Sequence, residues 1–132
     1  MNRTLDIQDS VRDRLSRLGA VRENEPMRIH TSFRTGGAAD ILFYPRTDEA
    51  AAEAVAILYA EGIPYSVVGG CTNLVVGDGG IPGVVFKMSA DDASDGDLIR
   101  EMADGRIYCT ASVKKTDFIR FAISINRGGV EF

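Results

Sequence analysis

The stretch Ala39-Asp40-Ile41-Leu42-Phe43-Tyr44-Pro45-Arg46-Thr47-Asp48-Glu49, continuing through an alanine-rich run to Gly62-Ile63-Pro64-Tyr65-Ser66-Val67-Val68, decides the fold. Residues 39–44 are apolar and aromatic, and Pro45 closes them as a strand. Thr47 is a natural helix N-cap, and Asp48 and Glu49 put negative charge on the first turn. Ala51, Val55 and Leu58 supply a buried face for a helix over about 48–61. Gly62 sits where a left-handed C-terminal cap is wanted, and Pro64 prevents continuation. Residues 65–68 are a second short strand. A strand–helix–strand unit thus occupies the middle of the chain.

Around this unit, Val11, Leu15 and Leu18 lie at i, i+4 and i+7 and mark an amphipathic N-terminal helix that Gly19 stops. Arg22-Glu23-Asn24-Glu25-Pro26 reads as a linker. Residues 74–76 and 83–88 read as extended. Residues 89–97, with Asp91, Asp92, Asp95 and Asp97, read as an acidic surface loop without the ligand spacing of a calcium loop. Residues 98–102 and 106–109 flank Asp104-Gly105, a hairpin turn signal. Residues 116–127 are helical, with Phe118, Ile119, Ala122 and Ile123 on one face. The order of elements predicts an α+β fold with a mixed sheet.

The chain has 132 residues, 45% of them hydrophobic and 26% charged, with a net charge of −4. That composition excludes wholesale disorder. An acidic chain without a basic tract is a poor nucleic-acid ligand, because counterion release needs clustered Lys and Arg. No apolar run approaches the ~20 residues of a membrane helix, and the first residues lack an apolar signal core. A cytoplasmic setting is expected, in which Cys71 and Cys109 stay reduced. Two cysteines and the lone His30 cannot complete a protein-only Cys/His zinc site, so no metal site is expected.

Residues 67–80 carry the chemical signal. Glycine lets a backbone approach a ligand closely, and consecutive amides in such a loop form a nest that favours anions such as pyrophosphate. The segment is not a Rossmann loop, because no helical period follows its glycines, and not a Walker loop, because no Lys-Ser/Thr pair follows. A nucleotide bound here would be held from a strand–loop–strand frame. A plain glycine-rich turn in a small sheet is the competing interpretation.

Thr31-Ser32-Phe33-Arg34-Thr35-Gly36-Gly37, Pro45-Arg46-Thr47, Gly62-Ile63-Pro64, and the run from Val68 through Gly69-Gly70-Cys71-Thr72-Asn73-Leu74 to Gly80 occur in fixed order. Together they resemble the UDP-N-acetylenolpyruvoylglucosamine reductase family (also called UDP-N-acetylmuramate dehydrogenase) from about residue 28 onward. The resemblance implies a FAD-binding fold of the p-cresol-methylhydroxylase or vanillyl-alcohol-oxidase type, with two small α+β subdomains. The division it implies is an N-terminal helix and linker over 1–25, a first subdomain over 26–88, and the start of an incomplete second subdomain over 89–132. It implies that Val68, Gly69, Gly70, Cys71, Thr72, Asn73 and Leu74 wrap the FAD pyrophosphate. It implies that a second flavin segment falls on Thr110, Ala111 and Ser112. Cys71 stands for a family glycine, and Thr110 and Ser112 stand for two more.

The implied activity is reduction of UDP-N-acetylglucosamine enolpyruvate to UDP-N-acetylmuramate, with NADPH as the reductant and flavin as the relay. The resemblance implies that the family's catalytic arginine, its proton-donating serine and its glutamate all lie beyond Phe132, as does a separate substrate domain, so no residue here is expected to be catalytic. Self-association of the shortened chain is expected from uncovered apolar surface. Two other readings compete: a degenerate module that has lost flavin, and a flavin oxidoreductase of the wider fold with another substrate. Phe33 and Tyr44 are candidates for ring stacking or for the core. His30, Cys71 and Cys109 are candidates for flavin contact or for simple packing, and Lys114-Lys115 for phosphate contact or a solvated surface.

Overall fold

A computed structural model describes residues 7–88 and 98–130. It divides into two compact units, Met1–Met88 and Ser89–Phe132. The expected acidic loop over 89–97 lies outside the described residues.

The first unit opens with helix α1, Asp9–Leu18, and strand β1, Gly19–Pro26. A 3-10 turn, Met27–Ile29, leads to strand β2, Ala38–Pro45. Helix α2, Asp48–Ala60, strand β3, Tyr65–Val68, and strand β4, Ile81–Lys87, follow. The sheet order is β1-β2-β4-β3. β1 runs antiparallel to β2, whereas β2 and β3 each pair parallel with β4. The mixed α+β architecture is therefore as expected. The strand–helix–strand unit is split, however, because β4 enters between its two strands.

Local chemistry accounts for the helix boundaries. The Thr47 side chain accepts a hydrogen bond from the Ala50 amide at 3.0 Å and closes the start of α2. Gly62, beyond the end of α2, takes φ +66° and lets the Ile63 amide turn back to the Leu58 carbonyl at 2.9 Å. The buried face of α2 is Ala50, Ala54, Ile57 and Leu58, with Ala51 and Val55 only half-buried. This phase differs from the expected one. α2 is apolar nearly all round, so its own sequence does not choose which stripe faces inward.

The two faces of the sheet are covered differently. Ile41, Phe43, Val84 and Phe86 pack against Val11 and Leu15 of α1 and Ala54, Ile57 and Leu58 of α2. Phe43 and Phe86 meet edge to face, with centroids 5.2 Å apart. On the opposite face, Ala39, Leu42 and Val85 pack with Met27 and Val76. There the cover consists of loops.

Three other expectations are corrected. Residues 22–26 are strand rather than linker: β1 is an edge strand, where charges and a terminal proline are tolerated because one side needs no partner. Residues 74–76 form no strand. Leu74 and Val76 instead plug the loop-covered face, which uses their hydrophobicity without a ladder. Phe33 is 55% exposed and is no core aromatic.

The second unit holds strands β5, Ile99–Glu101, and β6, Ile107–Cys109, paired antiparallel, and helix α3, Lys115–Ser124. Gly105 supplies φ +82° in the hairpin turn. Of the expected α3 face, Ala122 is buried but Ile123 is 69% exposed. Among the described residues, no helix is long and apolar enough to cross a membrane.

Leu15 is fully buried between α1 and the sheet. Leu15→Ala should cost about 3 kcal/mol, because the helix–sheet contact collapses only partly around the missing atoms. Urea denaturation of the two proteins checks this.

Candidate functional site

The glycine-rich segment leaves the end of β3 at Val68 and crosses to β4. A second loop, residues 31–37, runs beside it. The Ser32 amide donates to the Cys71 carbonyl at 3.2 Å, and the Gly37 amide donates to the Gly77 carbonyl at 2.9 Å. The Met27 amide donates to the Gly37 carbonyl at 3.0 Å, and the Thr31 hydroxyl closes its own loop on the Thr35 carbonyl at 3.3 Å. Residues 31–37 thus brace the glycine-rich loop.

Sequence reasoning named this stretch only as part of a motif. Its one local signal was the Gly36-Gly37 pair. A Cβ on Gly36 would lie 2.5 Å from the Val76 Cβ, and one on Gly37 would lie 2.2 Å from the Asp78 carbonyl oxygen. The two loops touch through positions that admit no side chain.

Among the described residues, the backbone amides from 69 to 74 donate no internal hydrogen bond. Gly69, Gly70, Thr72 and Asn73 are exposed, and Leu74 is half-buried. A run of amides without internal partners can donate to anionic oxygens. Cys71 adopts positive φ, +55°, which non-glycine residues rarely take. Its side chain, however, is buried, and its thiol donates to the Gly69 carbonyl at 3.3 Å. The thiol therefore turns inward. Cys71 and Cys109 are both free.

The glycines divide into two classes. Gly80 has φ +76°, and a Cβ there would meet the Ala38 carbonyl oxygen at 1.9 Å, so the fold itself demands glycine. At Gly69 a Cβ would meet nothing within 4 Å, and at Gly70 its nearest neighbour is 4.0 Å away. Among the described residues, nothing forbids a side chain at either position. A ligand approaching the backbone closely is a physical reason for glycine there.

The other expected site segment lies on the second unit. Thr110 and Ser112 form a turn before α3, and their hydroxyl oxygens are 2.8 Å apart. The Thr110 amide is used by the Leu98 carbonyl at 3.0 Å. Ala111 is exposed, and so are Lys114 and Lys115.

Near the brace, His30 joins a chain of side chains that the sequence does not foreshadow. Its Nε2 is 2.8 Å from the Glu25 carboxylate, and its Nδ1 is 3.3 Å from the Lys87 ammonium. Arg22 also donates to Glu25, at 3.2 Å. The hydrogen bond with His30 holds the Glu25 carboxyl below its ordinary value of 4.5; burial opposes this, and Arg22 adds to it. Among the described residues, no cluster of metal-ligating side chains is present.

Two outcomes follow from this geometry. Gly80→Ala should destabilise the chain by about 2 kcal/mol or more. Gly69→Ala should stay within about 0.5 kcal/mol of the parent; urea midpoints compare them. Because the folded Glu25 is depressed, its contribution is complete above pH 4.5 and fades as pH falls through the lower folded value. Glu25→Gln should therefore lower stability at pH 7 and lose less of it than the parent between pH 5 and 3.

No family model matches the chain. Proteins named UDP-N-acetylenolpyruvoylglucosamine reductase do match it. The one from Clostridium botulinum (strain Hall) is 37% identical over 109 residues, covering 83% of this chain and 34% of that protein. The Listeria monocytogenes protein is 35% identical over 115 residues, covering 86% and 36%. The Geobacter metallireducens protein is 37% identical over 114 residues, again covering 86% and 36%. The chain is thus a relative of the UDP-N-acetylenolpyruvoylglucosamine reductases that spans about a third of their length.

Proposed function

We propose that this chain is the flavin-holding portion of a cytoplasmic reductase that converts UDP-N-acetylglucosamine enolpyruvate to UDP-N-acetylmuramate with NADPH, a step in making cell-wall precursor. The observation that carries the proposal is the unpaired amide run over 69–74, combined with Gly69 and Gly70, which the fold does not itself require. The names of the relatives supply the reaction.

The residues present suit FAD. Its diphosphate brings anionic oxygens, and each amide–phosphate hydrogen bond contributes about 1.5–3 kcal/mol when one partner is charged. The amides of Gly69, Gly70, Cys71, Thr72, Asn73 and Leu74 would hold the diphosphate. Thr72 adds a hydroxyl and Asn73 a side-chain amide, both on exposed residues. Thr110, Ala111 and Ser112 would form the second flavin-facing segment of the p-cresol-methylhydroxylase type of fold. Phe33 and Val75, on the two touching loops, are 55% and 68% exposed. They give the flat, apolar ends of a dinucleotide a surface to lie on.

Bound FAD would supply the redox chemistry, taking hydride from NADPH and passing it to the enolpyruvyl double bond. This chain's residues bind and orient; the UDP-sugar is recognised outside it.

Titration of the chain with FAD, followed by flavin fluorescence, tests the proposal. FAD is expected to bind more tightly than FMN or riboflavin, because only FAD carries a diphosphate. Gly69→Val should weaken FAD by at least about tenfold without unfolding the protein. No NADPH consumption is expected from the chain alone. Equal affinity for FAD and riboflavin, or no FAD binding at all, overturns the proposal; the latter outcome favours a module of this fold that has lost its flavin.

A further inference from the structure

We infer that His30 is a positioning residue for the glycine-rich loop: it ties the brace at 31–37 both to the edge strand and to the strand beside which the glycine-rich loop begins. The inference deepens the flavin proposal, and only its ligand-binding readout rests on that proposal.

The geometry connects three elements. Glu25 lies in β1, His30 ends the 3-10 turn, and Lys87 is the last residue of β4. Lys87 is the register partner of Val68, the residue immediately before Gly69. His30 is two residues before Ser32, whose amide bonds to Cys71 in the glycine-rich loop. One imidazole therefore joins the root of the brace to the root of the loop it braces.

The hydrogen bonds run in one direction. An ammonium can only donate, so Lys87 donates to His30 Nδ1 at 3.3 Å. The other nitrogen then carries the proton and donates to Glu25 at 2.8 Å. Arg22 donates to the same carboxylate at 3.2 Å. His30 and Glu25 side chains are only 10% and 14% exposed. Such a part-buried chain fixes the ring's orientation from both ends, and removing its middle takes this acceptor from the Lys87 ammonium and leaves Glu25 with Arg22.

A bare packing role predicts something different. Leucine would fill the space of His30 and leave the loops as they are. A positioning role requires an acceptor for Lys87 and a donor for Glu25, and glutamine offers both on one side chain.

The test uses the 132-residue chain and reads amide hydrogen exchange at Ser32 and Gly37, which bond to the glycine-rich loop, against Val85 in the sheet. In His30→Leu, exchange at Ser32 and Gly37 should rise about tenfold while Val85 stays protected. His30→Gln should restore both. FAD affinity should follow, down about tenfold in His30→Leu and recovered in His30→Gln. If His30→Leu fails to fold, Lys87→Met breaks the other end of the chain and should give the same selective loosening.

Unchanged exchange at Ser32 and Gly37 overturns the inference. So do equal losses at all three amides, failure of His30→Gln to restore them, or a parent that binds FAD but no more tightly than His30→Leu does. If the parent binds no FAD but the selective loosening is seen, the flavin proposal fails and the positioning role stands.

Discussion

Two backbone hydrogen bonds between the 31–37 loop and the glycine-rich loop, Ser32 to Cys71 and Gly37 to Gly77, are the constraint on which the rest depends. A glycine-rich segment has high conformational entropy, and between Val68 and Leu74 only the Cys71 side chain is buried to anchor it. Its path is fixed only if something else holds it. The 31–37 loop does so, and it approaches closely enough because Gly36 and Gly37 carry no Cβ.

The asymmetry of the sheet follows from this arrangement. Helices α1 and α2 cover one face and form the larger cluster of buried side chains. The other face is closed by loops, with Met27, Leu42, Val76 and Val85 beneath them. Val76 matters doubly: its side chain is buried in that cluster, while its neighbours Val75 and Gly77 are exposed. The helices lie on one side of the sheet, and the glycine-rich segment lies among the loops on the other. A scaffold that positions a binding loop has this general form.

Cys71 shows why a substitution must be judged in three dimensions. A non-glycine residue at positive φ costs free energy, and in an anion-binding loop its side chain threatens the ligand. Here the side chain is small enough to be buried and polar enough to donate to the Gly69 carbonyl. The left-handed backbone remains, with the thiol turned onto the loop's own carbonyl. The second unit has a simpler character. A hairpin and one helix leave Ala122 as its buried side chain among the described residues, and Thr110 and Ser112 satisfy each other's hydroxyls.

The amino-acid sequence determined what rests on local chemistry. Thr47 and Gly62 bounded α2, continuous apolar runs marked β2 and β4, Asp104-Gly105 marked the hairpin, and the glycine run marked the loop between β3 and β4. It did not determine the β1-β2-β4-β3 order, because parallel pairing is set by long-range contacts that leave no local trace. It misread 22–26, where edge position rather than hydrophobicity makes a strand. It left the phase of α2 open, because an almost wholly apolar helix has no polar side to orient it. The link from Glu25 through His30 to Lys87 joins residues up to 62 positions apart, and only the folded chain brings them within hydrogen-bonding distance.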